Sequence, residues 1–514
     1  MKNNKWTKLN NLENTLVDWK NQGLGRLKII PTTNPVPSSK LINNAHKKPN
    51  FVSSSDSPVA RSHSQLLSVT PGANTMEIHV RKSTMIRPSQ ETPKHCLKVS
   101  DLDLLVPSVY VPTVYFYGRG GPNECSSNFF DAGLMKEALS NVLVPFYPVA
   151  GRLQKDERGR IEILCNGEGV LFSEAEASCV IDDFGDFSQG SKLLPLVPSV
   201  DHANDRSSSP LMLTQVTHFK CGGACIGLRL NHTLVDGLSA YHFVNSWAEI
   251  TRGVPITIQP LFDRTILGVG VPNSPKFHHI EYDPPPTSLN TTISQTSGSI
   301  CTVILKLSLD QINTLKAKSK NDHEPTIKYS RMTTIAAHIW RCVCRARGLS
   351  DDQVSKLHFP TDGRSRLNPP LPMGYFGNAI FTTALTASSG NIQSEPLNYT
   401  IERIHKAIKR MDDEYLKSAL AYLKQQPDLT VLRKGAHTYK CPNLNIVNLA
   451  SMPMYEANFG WGQPVFTRVV NTYFEGVAHI YPNPSSDGSL SVIINLENNH
   501  MQLFKKFFYG IFEE

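Results

Sequence analysis

The sequence contains no uninterrupted apolar stretch long enough to cross a bilayer, so no membrane span is expected. It has no GxSxG nucleophile elbow, which sets aside a serine hydrolase of that type. The glycines of Arg119-Gly120-Gly121 lack the spacing of a dinucleotide fingerprint. Ten cysteines are scattered along 514 residues. Cys221/Cys225 and Cys342/Cys344 are close pairs, but no further His or Cys group completes a ligand set, so no metal is expected. Local thiols in a reducing, cytoplasmic compartment follow from that pattern. The formal charge of +8 looks basic. Its Arg and Lys residues are dispersed and not interleaved with aromatics, which speaks against a nucleic-acid platform and is compatible with a small anionic substrate.

What is present begins with a change of character. Residues 1–75 are rich in Asn, Lys, Ser and Pro, include Ser53-Ser54-Ser55, and show little periodicity, which reads as a disordered extension. The apolar core of a secretory signal is missing there. From Met76 the pattern becomes that of a folded chain, long enough for two packed domains. Residues 76–255 read as an N-terminal domain, 256–299 as a proline-punctuated crossover linker, and 300–514 as a C-terminal domain. In the first, a β-rich run from Leu104 to Tyr117 is interrupted by Pro107 and Pro112, and an amphipathic helix follows over residues 131–143. A hairpin spans Gly151 to Leu164, and residues 167–172 read as an edge strand and turn. The acidic stretch from Asp182 to Asp186 reads as a solvated loop. In the second, strands alternate with helices, one of them a single long helix over residues 401–423, and the segment 445–470 is expected to contribute to the interface. Two mixed α/β domains fit this order.

The stretch that organises the chain runs from Leu228 to Gly237. Buried-strand residues lead into His232, a helical pattern starts at Leu238, and Gly237 offers a sharp turn after Asp236. A histidine on such a support can take a proton at neutral pH. A packed histidine bonded to its local carboxylate accounts equally well for the pair alone. The second notable run, Tyr455-Glu456-Ala457-Asn458-Phe459-Gly460-Trp461-Gly462, lets the backbone fold tightly around a large ring.

Together, His232-to-Asp236 and the turn around Trp461 resemble the plant acyl-CoA-dependent acyltransferases of the BAHD family. Val114-Tyr115-Phe116-Tyr117, residues 143–153, 159–172 and 374–381, and Thr361-Asp362-Gly363-Arg364-Ser365-Arg366 bring the hydroxycinnamoyl-CoA:shikimate/quinate group closest. The resemblance implies a monomeric, metal-free enzyme of two chloramphenicol-acetyltransferase-like domains with a channel between them. It would have no cofactor and no obligate protein partner, acyl-CoA being a co-substrate beside a small-molecule acceptor. His232 would be the base. Asp236 would hold its loop and not orient the base as in a hydrolase triad.

The chain departs from that family at several points. Asn458 stands where the family has an Asp tied to a buried basic partner, which predicts a loss of stability with activity kept; Gly460, Trp461 and Gly462 keep the structural turn. Lys434 stands for an acceptor-binding arginine and keeps the charge without the bidentate fork. Val447 and Leu449 replace a threonine and a tryptophan, Tyr110-Val111 replaces a His-Thr pair, and Thr113 replaces a serine shortly before Tyr115. The acceptor pocket is therefore expected to be more apolar, favouring a less polar acceptor hydroxyl or amine for the hydroxycinnamoyl group. An ordinary shikimate/quinate transferase, a spermidine N-transferase and a non-catalytic member are the alternatives.

Overall fold

The computed structural model describes residues 76–119, 128–199, 208–288, 299–318, 329–470, 474–485 and 487–513; the extension expected over 1–75 lies outside them. In chain order the strands are β1 (Ile78–Ile86), β2 (His95–Lys98), β3 (Tyr110–Tyr117), β4 (Arg152–Lys155), β5 (Ile161–Cys165), β6 (Val170–Ala177), β7 (Met212–His218) and β8 (Ala224–Asn231). They continue with β9 (Ile300–Leu307), β10 (Val354–Asp362), β11 (Ile380–Ser388), β12 (Leu444–Asn448), β13 (Phe466–Val469), β14 (Val477–Pro482) and β15 (Leu490–Glu497). The α-helices are α1 (Asp101–Leu105), α2 (Ala132–Val142), α3 (Gly190–Leu193), α4 (Gly237–Thr251), α5 (Leu309–Lys318) and α6 (Arg331–Ala346). After them come α7 (Ser389–Ser394), α8 (Leu397–Lys409), α9 (Asp413–Lys424), α10 (Ala436–Tyr439) and α11 (Asn498–Gly510).

Alternating apolar residues make these strands two-sided, and they assemble into two 6-stranded sheets, β1-β6-β7-β8-β3-β13 and β11-β10-β12-β14-β15-β9, plus a small β2-β5-β4 sheet. The result is a mixed α/β fold with two sheet-rich lobes. Both large sheets mix parallel and antiparallel neighbours. The first lobe's sheet is completed by β13, which pairs antiparallel with β3 although it lies far downstream in the chain. Apolar packing gathers in one large cluster beside β8 and α4, a second under β9, β10 and α6, and a third on the other face of β3.

Four expectations change. The β-rich run starts only at Tyr110, because Ser100 and Asp103 form a capping box that makes Asp101–Leu105 a short helix. Pro112 does not break β3; its residue stays in register with Arg229. The segment after Gly167 is no edge strand: β6 lies between β1 and β7 and is hydrogen-bonded on both sides. The long helix expected over 401–423 is two helices. Asp412 caps the second by accepting from the Tyr415 amide at 3.0 Å. The break is useful to packing, because Ile401 and Ile404 of α8 belong to the second cluster while Tyr415, Leu416 and Ala419 of α9 belong to the first. One straight stripe could not serve both cores.

Candidate active site

The site grows from the end of β8. Pairing with β7 and β3 on either side buries this strand, and its last residue, Asn231, starts the turn. The Asn231 side chain accepts from the Thr233 amide at 3.0 Å, and its carbonyl accepts from the Leu234 amide at 3.0 Å. Four residues on from His232, Asp236 caps α4, accepting from the Ser239 amide at 3.0 Å. Gly237 is simply the first helical residue, and its left-handed freedom is not used. The side chains of Asn231 and Asp236 make the turn.

His232 is half-buried and held at three atoms. Its amide donates to the Val109 carbonyl at 2.8 Å. Its own carbonyl accepts from Asn378 Nδ2 at 2.9 Å. Its Nδ1 lies 3.0 Å from the Val235 carbonyl oxygen. A carbonyl can only accept, so Nδ1 carries the ring proton and Nε2 keeps its lone pair. The histidine bonded to its local carboxylate is therefore not what the fold builds. Asp236 is occupied elsewhere: Arg364 reaches its two oxygens at 2.8 and 3.0 Å, and the Ala379 amide donates to it at 3.0 Å. Burial works against the Arg364 charge, but the facing Asp236 carboxylate overcomes it and raises the guanidinium above its ordinary value.

A second buried pair lies alongside. Asp103 of α1 accepts from Arg264 Nε at 3.1 Å and from the Asn378 amide and side chain at 2.9 and 2.8 Å. Asn378 thus ties α1 to the His232 main chain. Arg264 and Arg364 each lie 5.5 Å from the Tyr375 ring centroid. Sequence reasoning left Asp103, Arg264 and Asn378 unmentioned and used Arg364 only for resemblance. A buried-pair signal was absent because the partners are 161 and 128 residues apart.

Alternation places the remaining candidates. Tyr115 and Tyr117 of β3 and Ile226, Leu228 and Leu230 of β8 enter the large cluster, whereas Val114, Phe116 and Cys225 enter the third. Val111, Thr113 and Tyr115 therefore share the face that carries His232. Burial holds the Tyr115 hydroxyl well above its ordinary pKa, with Tyr117 and Tyr481 adding to the effect. Tyr110 sends its hydroxyl to the Pro210 carbonyl at 2.7 Å. Leu449 is part of the same large cluster, and Val447 packs against it. Lys434 sits against the Tyr282 ring at 5.4 Å and donates to the Glu281 carbonyl. Burial first, then the charge of Lys356, pushes its ammonium down to about 8.

The turn from Asn458 to Gly462 lies apart, at the C-terminal end of α4. Asn458 Oδ1 accepts from the Gly460 and Gly462 amides at 2.9 and 3.2 Å, and both glycines have φ near +100°, at 106° and 98°. Trp461 stacks obliquely on Phe130 at 4.7 Å. Arg252, the base that reaches the turn, is exposed and donates to the Asn458 main-chain carbonyl. The buried basic partner expected for this position is not what Arg252 provides. A groove of about 1040 Å³ runs between α1, the β4–β5 hairpin and residues 420–433; it borders Arg264, and His232 is not among its walls.

The model of the "Transferase family" matches residues 76–510. The chain belongs to the BAHD acyl-CoA-dependent acyltransferases. It is 51% identical over 438 residues to the shikimate O-hydroxycinnamoyltransferase of Nicotiana tabacum, covering 84% of this chain and 100% of that one. It is 46% identical to the rosmarinate synthase of Plectranthus scutellarioides, over 85% of this chain and all of that one. Among solved structures, vinorine synthase matches with a TM-score of 0.67 at 20% identity, covering 85% of this chain and 98% of that one, which shows the fold. The BAHD chain is thus a CoA-dependent acyltransferase.

Proposed function

We propose that the chain transfers a hydroxycinnamoyl group from its CoA thioester to a hydroxyl of a small ring-hydroxylated acid of the shikimate or quinate kind. The observation that carries this reading is the 51% identity to the tobacco shikimate enzyme along that enzyme's whole length. The free Nε2 of His232 supports the chemistry. The acceptor hydroxyl gives its proton to Nε2 as its oxygen attacks the thioester carbonyl, forming a tetrahedral oxyanion. The oxyanion collapses, the C–S bond breaks, and the CoA thiolate takes the proton back from the imidazolium. No covalent enzyme intermediate is needed. Nδ1–H stays on the Val235 carbonyl throughout, which keeps the ring oriented. Lys434 supplies the cation for the acceptor carboxylate.

A second reading, an acceptor less polar than shikimate, is favoured by Val447 and Leu449, whose side chains offer no hydrogen bond to ring hydroxyls. A hydroxycinnamoyl-CoA:5-hydroxyanthranilate N-hydroxycinnamoyltransferase of Avena sativa, 45% identical, is a relative with another acceptor in its name, and rosmarinate synthase is one named for another product. The two readings separate in one assay: p-coumaroyl-CoA with matched shikimate, quinate, phenyl-lactate, aromatic amine and spermidine, read by mass spectrometry. The first expects shikimate or quinate to give the highest kcat/KM; a clear lead for an aromatic amine or phenyl-lactate would replace it with the second.

A further inference from the structure

β10 lies one strand in from the edge of the second lobe's sheet, between β11 and β12. Its Leu357 and Phe359 enter the second apolar cluster. Lys356 and His358 therefore face the other way, together with Asn445 and Val447 of β12, and Val447 packs on the large cluster that holds the residues beside His232. His358 is 1% exposed, and among the described residues neither of its ring nitrogens has a hydrogen-bond partner. Its flanking position on β11 is Ala384, too small to reach it with a polar group, and its nearest ring is Tyr439, edge-on at 5.7 Å.

Two orphaned nitrogens on one buried side chain are costly, since each unmade bond forfeits about 1–3 kcal/mol of desolvation. The surroundings show what would match them. Lys356 spends its ammonium on the Ile280 and Asp283 carbonyls, at 2.5 and 3.1 Å. Lys434 donates to the neighbouring Glu281 carbonyl. Burial first, then the charges of Lys434 and Lys356, disfavour protonation of His358, so the ring is an uncharged one with a single N–H donor and a single acceptor nitrogen. That pair complements a hydroxyl group, which likewise donates once and accepts.

We infer that His358 is a specificity-determining residue for this reaction: its imidazole receives a ring hydroxyl of the acceptor whose carboxylate Lys434 holds. The inference rests on the acceptor class proposed above and deepens it. It also answers the shortage of polar groups at Val447 and Leu449, because the hydroxyl's partner comes from β10 and not from β12. His358 takes no part in moving the proton, which remains the work of His232.

The test compares shikimate with 3-hydroxycyclohexanecarboxylate, which keeps the carboxylate and one hydroxyl to be acylated but lacks the others. In His358→Phe, kcat/KM for shikimate should fall about tenfold to a hundredfold, the range for leaving a substrate hydroxyl unpaired in a closed site. The value for the analogue should change less than about threefold on the same physical grounds. His358→Gln, which restores one donor and one acceptor, should recover part of the loss, and it remains informative if the Phe variant folds poorly. Parallel losses for both acceptors in the two variants, or no loss for either, would overturn the assignment of His358 alone. A wild-type enzyme that acylates neither acid while acylating a phenyl-lactate or an amine would instead overturn the acceptor class, and this inference with it.

Discussion

An imidazole whose Nδ1–H is engaged by a carbonyl acts through Nε2, and His232 meets that condition. His232→Ala should therefore lower thiol release from p-coumaroyl-CoA by about 10²- to 10⁴-fold, the usual worth of general-base help. Circular dichroism should be unchanged, because the turn is held by Asn231, Asp236 and Asn378 and not by the ring. Lys434 makes a different forecast. The ammonium is pushed down to about 8 by burial, with Lys356 adding repulsion and Glu281 and Asp283 partly opposing it; the uncharged His358 contributes no charge. As pH rises through about 8 the folded protein loses this proton while an unfolded lysine keeps it until the ordinary lysine value of 10.5. Two consequences follow. Stability against urea should gain a rising contribution over that window, since the unfolded chain binds the extra proton. The KM for a carboxylate acceptor should climb above about pH 8, and Lys434→Arg should flatten the climb because a guanidinium stays charged. A pH-independent KM in the wild type would remove Lys434 from acceptor binding.

At the scale of elements, the turn that carries His232 is a joint between β8, α4 and the segment after β10, and the Asp236–Arg364 pair is its pin. Removing one member strands the other in a buried place. Arg364→Ala should cost about 3–5 kcal/mol in urea unfolding and lower kcat as the turn loosens, while Arg364→Lys should recover only part. The far end of α4 behaves otherwise. Its fifteen helical residues make α4 roughly 22 Å long at about 1.5 Å per residue, and Arg252 caps the end away from the His232 turn. Asn458 already satisfies the Gly460 and Gly462 amides, and its neighbour Arg252 is exposed. Asn458→Asp should thus raise stability by no more than about 1 kcal/mol and leave turnover unchanged. A larger gain, measured by the urea midpoint, would mean that the Asp finds a buried partner.

Across the whole molecule, the first lobe is not built from the first half of the chain. β13 covers the β3 edge, and its buried Arg468 donates to the Phe187 carbonyl at 2.7 Å. The Val469 amide donates to Tyr481 Oη of β14 at 3.2 Å, so β13 touches both large sheets. Residues 76–255 expressed alone should therefore present β3 as an unpaired edge and associate, which light scattering would detect. A monodisperse monomer of that fragment would show that β13 is dispensable to the first lobe. No helix among the described residues is long and apolar enough to cross a membrane.

The division between sequence and fold follows from the range of the forces involved. Strands β9 and β14, helix α4, and the hand-over from strand to helix at His232 were legible because alternation, caps and turn residues act within a few positions along the chain. The glycine turn around Trp461 was legible for the same reason, and so was the family. The break of the 401–423 helix was not, because what decides it is which of two cores each half must fill. Nor were the partner of Asp236, the Asp103–Arg264–Asn378 network or the orphaned ring of His358. Hydrogen bonds and ion pairs are directional and short, so residues far apart in the chain acquire a partner, or lack one, only when the sheets have been laid against each other.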